Sequence, residues 1–134
     1  MEQRNKVSIC VLGMDQHETG ALAAARMLRD AGMEVIYGGR FNLPNKIIDD
    51  ALQDDVDMIG ISCHSWEYRE YIDELMDGLK AKEMDVPVVL AGSILSAEDR
   101  DELMGKGVAE VFGASATPEH MIETVDRLCR DGAA

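Results

Sequence analysis

The chain is poor in cysteine, poor in positive charge and without a long apolar run. Only three of its 134 residues are cysteines, Cys10, Cys63 and Cys129. Their odd number, their wide spacing and the lack of any CxxC pair exclude a disulfide framework and a zinc knuckle. Lysine and arginine number 13 against 26 aspartates and glutamates, for a net charge of -13. No basic face is visible for a nucleic-acid backbone, although a small anion held by backbone amides is still compatible with this balance. No window approaches the roughly 18 uninterrupted apolar residues of a membrane-spanning helix. The N-terminal stretch MEQRNKVSIC carries no apolar core or cleavage site of a secretion signal. The expectation is a soluble, cytoplasmic protein.

What is present suits one domain over residues 1–134. Hydrophobic residues make up 46% of the chain, enough for a packed core and too many for disorder. No internal repeat, low-complexity tract or linker interrupts it. Short apolar runs at Val7–Leu12, Glu34–Tyr37, Met58–Ser62, Val86–Ala91 and Glu110–Phe112 alternate with helical patterns. Several runs are nearly continuous in Val, Ile and Leu, as parallel strands covered on both faces are. The first helix is expected over Thr19–Ala31, with Leu22, Ala25 and Leu28 inward and Gly32 as its stop. Pro44–Leu52 opens on proline and is expected to bury Ile47, Ile48, Ala51 and Leu52. Trp66–Lys82 places Ile72, Leu75, Met76 and Leu79 on one side. Ser96 with Asp99 forms a near capping box ahead of Ala97–Gly105, and Thr117 and Pro118 open a last helix with Met121, Ile122, Val125 and Leu128 inside. Five strand–helix alternations imply an α/β fold, a doubly wound, flavodoxin-like (Rossmann-like) five-stranded parallel sheet of order 2-1-3-4-5. Its ligands are expected beyond the carboxyl ends of the strands, at the switch between strands 1 and 3.

At that edge the chain offers small and polar residues. Asp15 and His17 follow strand 1, Ser62, Cys63, His64 and Ser65 follow strand 3, Ala91, Gly92 and Ser93 end strand 4, and Gly113 to Ala116 follow strand 5. A phosphate loop after strand 1 asks for Ser, Thr and Gly with free amides, and Asp15 and Glu18 disfavour it. A phosphorylatable aspartate ending strand 3, as a response regulator requires, is replaced by Ser62, while Asp57 lies at the opposite end. Asp15 and His17 suit metal ligation. A ligating imidazole commonly gives its other N–H to a carboxylate, which fixes the tautomer and raises basicity. Gly20 and the run Ala21, Ala23, Ala24 and Ala25 leave a groove along the first helix. An isolated Asp-x-His also occurs as a loop cap beside an ordinary histidine, so the glycine and the small-residue helix carry the functional reading. His120, in the first turn of the last helix, is expected at the surface, and Cys10 and Cys129 as small core residues.

Asp15, His17 and Gly20, read as D-x-H-x-x-G, resemble the signature of cobalamin-binding domains. "ALAAARMLRDAGMEVIYGG", "DDVDMIGIS" and "KGVAEVFG" look most like the small subunits or C-terminal domains of methylmalonyl-CoA mutase and related acyl-CoA mutases. The resemblance implies that His17 is the lower axial ligand of cobalt in adenosylcobalamin, displacing the cofactor's dimethylbenzimidazole, with Asp15 bonded to the imidazole. Gly20 would let the displaced nucleotide tail pass between sheet and helix, Ser62 would meet its benzimidazole end, and Ala91, Gly92 and Gly113 would line the same cleft. His64 stands where the family usually has Leu or Thr, Ala91-Gly92 replaces a glycine pair, and Ala114-Ser115-Ala116 replaces Pro-Gly-Thr. These departures fall on the tail pocket and leave the trio of Asp15, His17 and Gly20 intact; His64 is either a cofactor or partner contact or a solvated loop residue. The implied function is the cofactor-binding subunit of an isomerase, inactive alone. Its implied partner is a large acyl-CoA-binding mutase subunit, with no nucleic acid and no membrane involved. Three alternatives stay open: a corrinoid methyl carrier, which usually has a helical cap before the sheet; a cobalamin sensor or storage module, which needs an output domain; and a zinc site from Asp15, His17, Cys63 and His64.

Overall fold

Alternating side chains decide how the two faces of the sheet are covered. The structure, a computed structural model, describes residues 4–13, 18–63, 66 and 68–132. The elements run β1 (Lys6–Val11), α1 (Thr19–Asp30), β2 (Glu34–Tyr37), α2 (Pro44–Asp54), β3 (Met58–Ser62), α3 (Tyr68–Ala81), β4 (Val88–Ala91), α4 (Ala97–Gly105), β5 (Glu110–Phe112) and α5 (Pro118–Gly132). The strands form one sheet in the order β2-β1-β3-β4-β5, with every neighbouring pair parallel. This is the expected architecture, with β1 and β3 side by side at the centre.

Because successive residues of a strand point to opposite faces, each strand feeds two cores. Val7, Ile9 and Val11 of β1 pack with Ala21, Ala25 and Leu28 of α1 and Val125 and Cys129 of α5. Cys10, with Ile59 and Ile61 of β3, packs on the other side with Ile47 and Ile48 of α2 and Ile72, Leu75 and Leu79 of α3. Burial on both faces is why β1 and β3 read as nearly continuous apolar runs.

The helix ends follow their local chemistry. Pro44 opens α2, where its missing N–H and fixed φ cost nothing. The Ser96 side chain accepts from the Asp99 amide at 3.1 Å while the Asp99 carboxylate accepts from the Ser96 amide at 2.9 Å, a complete capping box. Arg69 of α3 donates to the same carboxylate at 3.0 Å, tying α3 to α4. These bonds, the Ser96 backbone amide foremost, hold the Asp99 carboxyl below its ordinary value. Gly32 takes φ +97°, a value that glycine accommodates without strain, and turns the chain after α1 into β2.

Two helical expectations fail. Leu22 is 47% exposed and Leu52 is 54% exposed. At about 100° per residue, Ala21, Ala25 and Leu28 cluster within about 60° of one another, and Leu22 falls to the side of that stripe. Leu52 shares the side of Ile48 but occupies the last turn of α2. Spacing selects the inward side of a helix, whereas the partner elements decide which turns are covered. Met121, Ile122 and Leu128 are partly buried, while Val125, Thr124 and Cys129 are the buried residues of α5.

Candidate functional site

Small residues at inward positions open a cavity where the sheet's carboxyl edge meets α1 and α5. On β3 the residues between Ile59 and Ile61 and beyond are Gly60 and Ser62, and their β4 counterpart on the same row as Ser62 is Ala91. The register sets Val11, Ser62, Ala91 and Phe112 side by side across four strands. Opposite them, Gly20, Ala24 and Leu28 recur at helical spacing of four along α1. The result is a cavity of about 250 Å³. A dry cavity of about 150 Å³ in another protein already takes a benzene ring, so a bicyclic aromatic base has room here.

Five of the residues singled out from the sequence meet in that cavity: Gly20, Ser62, Ala91, Gly92 and Gly113. Ser93, Ala114 and Ala116 join them at the rim. Asp15, His17 and His64, the other three, lie outside the described residues. Residues that sequence reasoning did not assign to the site complete its wall: Gly60, Phe112, Met58, Met27, Met121 and Val125. Gly60 left a signal, since glycine inside a buried strand marks a close approach. A Cβ there would stand 2.6 Å from Ile9 Cδ1. The methionines left none, because an unbranched thioether in a core pattern reads simply as filling.

Glycine is required at two points of the rim. The Gly92 amide donates to the Phe112 carbonyl at 3.0 Å, and a Cβ on Gly92 would collide with the Cys63 carbonyl oxygen. A Cβ on Gly113 would stand 2.7 Å from the Leu95 carbonyl. The loops after β3, β4 and β5 therefore close on one another through bare backbone. Gly92→Ala is expected to cost about 1–3 kcal/mol by forcing that backbone apart, read as a lowered midpoint in thermal denaturation.

Two of the three thiols are held in their protonated form. Burial pushes Cys10 and Cys129 up to about 12, and Cys63, 2% exposed, places its Sγ 3.9 Å from the Ala91 carbonyl. Among the described residues no group of three His, Cys, Asp or Glu side chains is placed to hold a metal ion. His120 is exposed, as expected, with its ring edge-on to Phe112 at 5.7 Å. No helix among the described residues is long and apolar enough to cross a membrane.

The cavity is largely apolar, with Ser62 among the residues that line it. It lies against the first turns of α1, which in the chain follow Asp15 and His17. The B12 binding domain family model matches residues 5–128. The 2-hydroxyisobutanoyl-CoA mutase small subunit of Aquincola tertiaricarbonis is 32% identical over 123 residues, 92% of this chain and 90% of that one. The pivalyl-CoA mutase small subunit of Xanthobacter autotrophicus is 33% identical over 123 residues, 92% of this chain and 82% of that one. A cobalamin-binding protein from Desulfitobacterium hafniense superposes with a TM-score of 0.80 at 20% identity, over 94% of this chain and 60% of that one, a likeness of fold.

Proposed function

Since the chain belongs to the B12-binding domain family, we propose that its cavity receives the nucleotide tail of adenosylcobalamin while His17 supplies the lower ligand of cobalt. The chain is the cobalamin-binding small subunit of an acyl-CoA mutase, an isomerase, and forms a hetero-oligomer with a large subunit. The two mutase small subunits similar to it along nearly their whole length support that assignment. The observation that carries the site is the convergence of Gly20, Ser62, Ala91, Gly92 and Gly113 on one cavity beside α1.

When bound, adenosylcobalamin supplies a cobalt–carbon bond whose homolysis starts the radical rearrangement of an acyl-CoA skeleton. This chain's residues bind and orient. The imidazole of His17 would ligate cobalt, and the Asp15 carboxylate would accept its other N–H, fixing the tautomer and raising its basicity. The small side chains of α1 and the sheet would admit the tail and exclude water from it. Gly92 and Gly113 would keep the rim closed, and His64 would contact the cofactor or the large subunit. The large subunit provides the acyl-CoA pocket. The buried Cys10 and Cys129 accord with a cytoplasmic setting.

Assembly of this chain with its large subunit tests the reading. Isomerisation of an acyl-CoA ester should require both chains and the adenosyl form of the cofactor. Methyl transfer by this chain alone with methylcobalamin would instead establish the corrinoid carrier.

A further inference from the structure

The last residue of β2 and the turn that follows it hold Glu18 and Gly13, the described residues on either side of the segment that contains Asp15 and His17. At the end of β1, the Gly13 amide donates to the Asn42 carbonyl at 2.8 Å, and the Asn42 amide donates to the Val11 carbonyl at 3.2 Å. The Asn42 side chain, in a residue 1% exposed, donates to the Gly39 carbonyl at 2.7 Å and the Val11 carbonyl at 3.1 Å. Its oxygen accepts from Lys46 Nζ at 3.0 Å, which fixes the sense of the amide. At the start of α1, the Tyr37 hydroxyl donates to Glu18 Oε2 at 2.8 Å. Burial and the Glu18 carboxylate push Tyr37 up to about 12, so the phenol stays a donor.

The turn itself is held under backbone strain. Phe41 takes φ +63° while 44% exposed, with the Arg40 guanidinium 5.2 Å above its ring. An aromatic residue in the left-handed region persists only where its surroundings over-determine it, and the buried Asn42 beside it does so. Gly39, at φ +74°, supplies the other unusual bend.

We propose that Tyr37 and Asn42 are positioning residues for cobalt ligation. They fix Glu18 and Gly13, and thereby how firmly the imidazole between those anchors is presented to the cofactor. Four residues separate the anchors, each spanning no more than about 3.6 Å, so the anchor positions set the reach of His17. This inference rests on the proposed ligation by His17.

The test uses the complex of both subunits loaded with cob(II)alamin, with histidine labelled by heavy nitrogen. Nitrogen splitting in the electron paramagnetic resonance spectrum then reports the share of cobalt bound to histidine, and thermal melting of the apo chain reports folding. Tyr37→Phe, which removes one hydroxyl, should leave the melting temperature unchanged. It should also lower the histidine-bound share and weaken cobalamin affinity roughly 10-fold, the scale of outer-shell substitutions at metal sites. Glu18→Ala should match it, and Glu18→Gln, which keeps an acceptor for the phenol, should restore ligation. Asn42→Ala should show the larger loss of ligation along with a lower melting temperature. Unchanged ligation in Tyr37→Phe and Glu18→Ala, with the unaltered protein histidine-bound, would overturn the positioning role and leave the ligand assignment standing. Absence of histidine splitting in the unaltered protein would overturn both.

Discussion

His17→Ala is expected to abolish the histidine-bound cobalamin spectrum and the mutase activity of the assembled complex, with the apo chain melting as before. The residue falls in the chain between β1 and α1. What its loss removes, on the proposed ligation, is the imidazole that would hold cobalt. Outer-shell partners of metal-binding histidines are each worth roughly 10- to 100-fold in affinity or activity. Loss of the ligand itself should exceed that range, and Asp15→Ala should fall within it. The pair of variants separates the roles: His17→Ala loses histidine ligation outright, whereas Asp15→Ala keeps it in weakened form. Retention of the histidine-bound spectrum in His17→Ala would reject that residue as the ligand. Equal effects from both variants would reject Asp15 as a support acting through it.

Ala24→Phe is expected to block the tail while leaving the fold intact. Ala24 lines the cavity from α1, one helical turn from Gly20 and from Leu28. A phenyl ring there would occupy much of the roughly 250 Å³ now open between helix and sheet. Filling an existing cavity costs little and commonly stabilises a protein by about 0.5–2 kcal/mol, so the apo melting temperature should hold or rise. Cobalamin affinity should fall by 100-fold or more, about 2.7 kcal/mol, because the displaced base would lose this apolar shelter. Cobinamide, which lacks the nucleotide tail, makes the distinction: its binding should be equal in both proteins. If Ala24→Phe bound cobalamin as tightly as the unaltered chain, the tail would lie elsewhere.

Much of this arrangement was readable in the residues. The β2, β3 and β5 boundaries follow their apolar runs as predicted, because each run is bounded by turn residues. β4 begins at Val88 and not Val86, since Pro87 has no amide to give a neighbouring strand. The capping box of Ser96 and Asp99 formed as its spacing implied, because that motif is local and complete within four residues. The cavity was legible in part. Gly20, Ser62, Ala91, Gly92 and Gly113 announce themselves as small residues at element ends. Met27, Met121 and Val125 belong to the same wall, but their approach depends on how α1 and α5 cross the sheet, a tertiary relation that one-dimensional spacing does not contain. The Asn42 network is the clearest omission. Gly38, Gly39 and Asn42 mark a turn, yet nothing local reveals that the amide of Asn42 reaches back 31 positions to Val11.

Heavy-nitrogen histidine, incorporated into the chain and read through cob(II)alamin in the assembled complex, bears most directly on the central claim. If the imidazole of His17 replaces the benzimidazole beneath cobalt, the splitting changes from the triplet of ordinary nitrogen to the doublet of the heavy isotope. A triplet indifferent to the label would mean that the cofactor kept its own base, and the account of this cavity as the refuge of a displaced tail would be wrong.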